Sequence, residues 1–246
     1  MKTIGIIPAR YGSSRLPGKP LKLICGKPMI QHVYEQGMKA KTLDSVVVAT
    51  DDRRIVEAVQ AFGGKAFLTS VEHKTGSDRI AEVARNMACD IVVNIQGDEP
   101  LISPEIIDEF VSEMYEDSSL VMVTGCHRIQ DASLLENPNV VKVVSDLHGY
   151  ALLFSRSLIP YPRYAQQFAA FEHIGIYVYQ KDFLMKYITL EDTPLASTES
   201  LEQMKVLEHG YKIKLVKTKF PYDALSVDTQ EDLEMVERIM LARGGM

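Results

Sequence analysis

Three scarcities bound this 246-residue sequence. No stretch reaches the roughly eighteen consecutive apolar residues that a membrane-spanning helix needs, so no such helix is predicted. Cysteine is sparse: Cys25, Cys89 and Cys126 are scattered and odd in number. They fit neither a disulfide framework nor a zinc site, and they point to a reducing compartment. Positive charge is in deficit, with 27 Lys and Arg against 33 Asp and Glu and a formal net charge of -6. That balance argues against a generic nucleic-acid surface. The sequence also has no internal repeat and no low-complexity segment. Its first apolar run begins at about Thr3, leaving no room for a signal peptide, so a cytoplasmic protein is expected.

What is present starts with residues 1–21, MKTIGIIPARYGSSRLPGKPL. An apolar run (Ile4, Ile6, Ile7) ends at Pro8, and a loop follows with Arg10, Gly12, Ser13, Ser14, Arg15, Gly18 and Lys19. A buried strand that stops in a flexible cationic loop suits a polyphosphate. Glycines let the backbone approach the ligand, and the cations answer its charge. Spacing alone leaves open an ordinary surface loop with solvated charges.

Beyond this loop, strands and helices alternate. Strands are predicted at about Thr3–Ile7, Ser45–Ala49, Lys65–Leu68 and Asp90–Ile95. Helices are predicted from near Pro28, over Ile55–Val59, at Ser77–Met87 and at Pro104–Tyr115. This order implies an α/β fold with a mainly parallel sheet, whose ligand sits at the carboxyl ends of the strands. After about residue 118 the pattern becomes a mixed α+β portion. A hairpin is predicted across Asp146-Leu147-His148-Gly149, then a strand at Ile174–Tyr179 and a helix over Ser200–His209 closed by Gly210. Lys212–Val216 reads as a strand, and Thr229 caps a last helix. No linker separates the halves, so one domain is expected, 1–118 as its nucleotide half and 119–246 as its second half. Pro160–Ala170, rich in Pro and Tyr, is an irregular excursion suited to packing on a second subunit.

Two carboxylates are placed to do chemistry. Gln96-Gly97-Asp98-Glu99-Pro100 directly follows the most apolar strand, which puts Asp98 in the same crevice as the cationic loop. An Asp there can hold Mg²⁺ against a triphosphate, since Mg²⁺ takes one or two carboxylates plus phosphate oxygens. Asp228 precedes the last helix and completes such a site if its segment folds back; taken alone, it reads as helix-dipole chemistry. Thr75-Gly76-Ser77-Asp78-Arg79 opens a helix, where free amides suit an anion and capping by Ser77 or Asp78 is the plain alternative.

In order, the chain carries IPARYGSSRLPGKPL, ATDD, TGSDRIAE, NIQGDEP, NPNVVKVV, FSRSLIPYPR, HIGIYVY, ESLEQMKVLEHG and SVDTQEDLE. Together, over residue 2 to about residue 240, they resemble the 3-deoxy-manno-octulosonate (Kdo) cytidylyltransferases. The resemblance implies a Rossmann-like nucleotide-diphospho-sugar transferase fold and the reaction CTP + Kdo → CMP-Kdo + pyrophosphate, for lipopolysaccharide biosynthesis. It also implies a homodimer. The catalytic residues it implies are Lys19, Asp98 and Asp228, with Asp98 and Asp228 as Mg²⁺ ligands. For CTP it implies Pro8, Ala9, Arg10, Ser13, Arg15, Lys19, Ser70, Thr75, Ser77 and Arg79. For the sugar it implies Gln96, Arg156, His173, Tyr177, Glu202 and Gln203, with Arg156 expected at the sugar carboxylate. Taken singly, His173 reads as a core histidine, Arg156 as a surface ion pair and Tyr177 as a half-buried strand residue. One departure stands out: Pro194-Leu195-Ala196-Ser197-Thr198-Glu199 replaces a more acidic Pro-Leu-Glu-x-Ile-Glu pattern. It keeps 8-amino-3,8-dideoxy-manno-octulosonate, or another acid sugar such as a sialate, as the alternative substrate.

Overall fold

The protein's structure is a computed structural model, described here for residues 1–12, 15–222 and 225–244. Two compact units emerge, Met1–Asp108 with Tyr222–Met246, and Glu109–Pro221. The C-terminal segment thus belongs with the first unit, whereas the pattern of elements in the sequence suggests a change at about residue 118.

The first unit runs β1 (Thr3–Ala9), a small hairpin of β2 (Leu23–Ile24) and β3 (Lys27–Pro28), α1 (Met29–Lys39), β4 (Ser45–Thr50), α2 (Arg53–Ala61), β5 (Ala66–Leu68), α3 (Gly76–Arg85), β6 (Ile91–Asn94) and the start of α4 (Pro104–Glu116). Strands β6, β1, β4 and β5 lie side by side in that order, all parallel. β1 and β6 are near-continuous apolar runs because a parallel strand is covered on both faces; Ile4, Ile6, Ile7, Val92 and Val93 are fully or almost fully buried. Asp52 caps α2 by accepting the Arg54 N–H. Thr75, rather than Ser77, caps α3, with Asp78 as its reciprocal partner in a capping box.

The order β6-β1-β4-β5 has a functional consequence. From β1 the chain steps outward to β4 and β5, then crosses back to place β6 on the other side of β1. The topology therefore switches between β1 and β6, and in open α/β sheets the crevice beyond the carboxyl ends at that point receives the ligand.

The second unit holds β7 (Met122–Arg128), β8 (Lys142–Ser145), β9 (Ala151–Ser155), β10 (Phe171–Gln180), α5 (Lys181–Tyr187), α6 (Pro194–Glu199), α7 (Gln203–Glu208) and β11 (Lys214–Lys217). β11 pairs with β7 in parallel, and β7–β10, β10–β8 and β8–β9 are antiparallel. The β8–β9 hairpin turns where predicted. The Asp146 carboxylate accepts the N–H groups of His148 and Tyr150, and Gly149 takes φ +77°. The helix expected over Ser200–His209 is present but starts later, as α7, and a short helix not expected from the sequence, α6, precedes it. Ser200, at φ +51°, ends α6, and α7 starts only at Gln203.

The last helix, α8 (Gln230–Ala242), starts at a Thr229–Asp232 capping box. It returns to the first unit, where Leu233, Val236 and Met240 form a cluster with Val227, Leu16, Ile24 and Met29.

Candidate functional site

The loop after β1 is anchored at both its apolar and its cationic residues. Leu16 is 5% exposed and packs in the α8 cluster. The Tyr11 ring touches Gly18, which sits at φ +68°, and the Arg54 guanidinium lies 3.4 Å from the ring centre. Arg54 is in turn gripped by Asp52. A loop fastened at Tyr11, Leu16 and Gly18 delivers Lys19 to a fixed place.

That place is the switch point. Lys19 Nζ lies 2.8 Å from Asp98 Oδ2 and 3.1 Å from Asp228 Oδ1. Arg15 reaches the other oxygen of Asp228 at 3.0 Å. The two carboxylates, 130 positions apart in sequence, meet because the Val227 N–H donates to the Asp98 carbonyl. The loop after β6 lies close against β1: a Cβ on Gly97 would stand 2.6 Å from the Pro8 carbonyl oxygen. Glycine is thus required where the Asp98 loop crosses the end of β1.

Of the other residues expected around CTP, those at the start of α3 lie near the end of β1. At the start of α3, a Cβ on Gly76 would stand 3.4 Å from Pro8 Cγ, placing Thr75 and Ser77 beside that strand. Arg10 is exposed and Ser70 lies on the loop after β5; Ser13 lies outside the described residues. Arg79 is 4% exposed, and its guanidinium donates to Thr69 Oγ1 (2.6 Å), the Ser70 carbonyl and Asp51 (2.9 Å). Its visible work is to tie the loops after β4 and β5 together. His73 pairs with Glu82, which also accepts the Ser70 N–H.

Of the residues expected at the sugar, Gln96 lies in the first unit, its amide 3.5 Å from Asn94. In the second unit, His173 and Tyr177 stand on β10 with ring centres 5.5 Å apart, and the Tyr177 hydroxyl donates to Gln203 Oε1 at 3.3 Å. Glu202 is the exposed cap residue just before Gln203. Burial holds His173 down at a pKa of about 3, so its ring is neutral. Arg156 is tied to backbone carbonyls. Its guanidinium donates to the carbonyls of Glu199 (2.7 Å), Pro138 (2.9 Å) and Ser200 (3.5 Å), neutralising the end of α6.

A buried lysine drew no expectation from the sequence. Lys142 is fully buried, and its ammonium donates to the carbonyls of Asn137, Val140 and Arg156 at 2.6–2.9 Å. Desolvation lowers its pKa. The signal was a lysine inside the apolar run Val140-Val141-Lys142-Val143-Val144.

Cations and paired carboxylates at the switch point of a parallel sheet are the equipment of a nucleotidyltransferase. The chain belongs to the cytidylyltransferase family, whose model matches residues 4–213. Its group within that family is the 3-deoxy-manno-octulosonate cytidylyltransferases. The protein of that name from Geotalea daltonii is 50% identical over 255 residues, covering 99% of this chain and all of that one. The one from Fusobacterium nucleatum is 51% identical over 237 residues, 96% of each chain. Among solved structures, a CMP:2-keto-3-deoxy-manno-octonic acid synthetase complexed with CTP superposes with a TM-score of 0.95 at 44% identity, covering 99% of this chain and all of that one. A 4-diphosphocytidyl-2C-methyl-D-erythritol synthase from Anaerococcus prevotii, 15% identical with a TM-score of 0.64 over 98% of this chain and 96% of its own, shares the fold alone.

Proposed function

We propose that this protein activates Kdo by cytidylyl transfer, CTP + Kdo → CMP-Kdo + pyrophosphate, as a step toward lipopolysaccharide. The observation that carries this reading is the convergence of Lys19, Asp98 and Asp228 at the switch point. The names of the similar proteins support Kdo over its 8-amino analogue or a sialate.

The residues fit a magnesium ion. Two carboxylates converge on the Lys19 ammonium, the one or two protein carboxylates that Mg²⁺ takes. A site of this kind completes its coordination with phosphate oxygens and water. Asp98 and Asp228 would hold the ion, which when bound supplies charge to the α-phosphate and the departing pyrophosphate. Around it, Arg10, Arg15 and Lys19 receive the triphosphate, and the end of β1 at Pro8 and Ala9 presents backbone groups to the base. Ser13, Ser70, Thr75 and Ser77 line the same ligand, with Arg79 setting the loop that carries Ser70. The anomeric hydroxyl of the sugar attacks the α-phosphorus in line, so positioning and charge carry the rate more than covalent chemistry. Gln96, Arg156, His173, Tyr177, Glu202 and Gln203 bind the sugar acid. Arg156 has two guanidinium N–H groups left beyond its three carbonyl contacts.

A homodimer through the Pro160–Ala170 excursion is part of the same proposal; Tyr161 and Tyr164 are 83% and 68% exposed there. No helix among the described residues is long and apolar enough to cross a membrane, and a cytoplasmic enzyme is the reading that the scattered cysteines support. Incubation with CTP, Kdo and Mg²⁺ should release pyrophosphate in step with CMP-Kdo. Release no faster than without Kdo would reject the assignment.

A further inference from the structure

Thr124 on β7 is fully buried, and its hydroxyl makes three close contacts: 2.9 Å to His173 Nε2, 3.0 Å to the Ile174 carbonyl and 2.8 Å to the Ile176 carbonyl. Two carbonyls of one strand reach one hydroxyl because β10 is irregular there. Its register runs from Ile174 opposite Gly125 to Val178 opposite Val123, so four steps along β10 answer two along β7. A threonine hydroxyl has one proton, and both carbonyls can only accept. The proton goes to them, and the remaining contact must be one in which the hydroxyl accepts. Nε2 of His173 therefore carries a proton.

The opposite face of the imidazole is set by the same contact. His173 Nδ1 has no hydrogen-bond partner among the described residues. The ring is held edge-on to Phe154, centres 4.9 Å apart, and lies 5.5 Å from Tyr177. We propose that Thr124 is a positioning residue that locks His173 in its neutral Nε2–H tautomer, holding Nδ1 as a hydrogen-bond acceptor for a hydroxyl of the sugar substrate. This rests on the Kdo reading and deepens it. The contact His173 offers suits a polyol O–H and not a carboxylate, which needs a donor. Burial keeps the ring uncharged at neutral pH, so the acceptor is permanent. The sugar's carboxylate must then find its donors elsewhere.

The test combines the tautomer with kinetics. In protein labelled with ¹⁵N-histidine, long-range ¹H–¹⁵N correlation at pH 7 should show His173 neutral and protonated on Nε2. Thr124→Val, which keeps the shape and removes the hydroxyl, should lose that single tautomer. It should raise the sugar KM about tenfold, the worth of one hydrogen bond, with the CTP KM within about twofold of wild type. Thr124→Ser should restore both. An Nδ1–H ring or an imidazolium in the wild type at pH 7 would overturn the proposal, and so would a folded Thr124→Val protein with an unchanged spectrum and sugar KM. If Thr124→Val fails to fold, the wild-type spectrum and Thr124→Ser still decide. Should the wild type not turn over Kdo at all, the Kdo reading falls, while the spectrum still decides the tautomer.

Discussion

Lys19 does two jobs with one ammonium group. It offsets the repulsion between Asp98 and Asp228, and in the proposed function it also receives the triphosphate. Replacing it leaves two acids facing each other and, on the proposed function, removes one phosphate contact. Lys19→Ala should lower kcat/KM for CTP by about 10- to 100-fold, the worth of a charge-assisted hydrogen bond; steady-state CTP kinetics read this directly, and unchanged values would remove Lys19 from the site. Asp98→Asn keeps size and shape but halves the local negative charge. If Asp98 holds the proposed metal, whose charge stabilisation is worth several kcal/mol, it should cut turnover by about 100-fold or more, with the melting temperature near that of wild type. Residues of this kind were legible in sequence because charges beside glycines directly after an apolar strand have one obvious use. Thr124 was not: a threonine in a strand is unremarkable until the bulge of β10 turns two carbonyls onto it. Arg79 and Arg156 stood out in the sequence, but their partners within the chain did not. Nothing local tells that a guanidinium will spend its donors on Asp51 and Thr69, or on the carbonyls of Pro138 and Glu199.

At the scale of elements, the alternation of apolar strands and capped helices in the first hundred residues translated almost directly into β1 through α4, with boundaries differing by a residue or two. The second unit was read less well because its elements are short and end for tertiary reasons. The break at Ser200 illustrates this: Leu201 is buried, its N–H returns to the Ala196 carbonyl, and the helix stops with no glycine or proline to announce it. Caps were the more reliable signal. Burial alone would raise the pKa of Asp232, but the N–H groups of Asp228 and Thr229 and the Thr229 hydroxyl carry it below the ordinary carboxylate value. A depressed folded pKa contributes stability that is present above the unfolded value of about 3.9 and is lost as pH falls through the folded one. Asp232→Ala should therefore cost about 1 kcal/mol at pH 7 and progressively less below pH ~4. Urea unfolding at the two pH values checks this; a difference that stayed constant would rule out the charged cap. A second element-scale prediction concerns β7. A Cβ at Gly125 would stand 1.7 Å from Phe110 Cζ, so Gly125→Ala forces the α4 ring out of place. It should destabilise the protein by about 1–3 kcal/mol or more, measured as a lower unfolding midpoint.

For the whole molecule, the decisive fact is that the first unit is discontinuous in sequence. Residues after Tyr222 contribute both Asp228 and the apolar face of α8. A sequence pattern cannot show such a return, because it depends on which apolar surface is left uncovered once β1 to α4 have folded. Here that surface is Leu16, Ile24 and Met29, at the base of the cationic loop. The two contributions can be separated. Asp228→Asn removes charge alone and should abolish most turnover with little change in thermal stability. Ending the chain at Pro221 removes Val227, Leu233, Val236 and Met240 as well. At about 1.5–3 kcal/mol for each buried side chain, an upper estimate, the loss is about 6–12 kcal/mol, comparable with the whole stability of a typical domain. The truncated chain is therefore expected to be unfolded or aggregated, as judged by circular dichroism and gel filtration, whereas Asp228→Asn remains monodisperse and inactive. A truncated protein melting at the wild-type temperature would show that α8 is not what holds the opening loop in place, and the convergence of Lys19 with Asp98 would then need another cause.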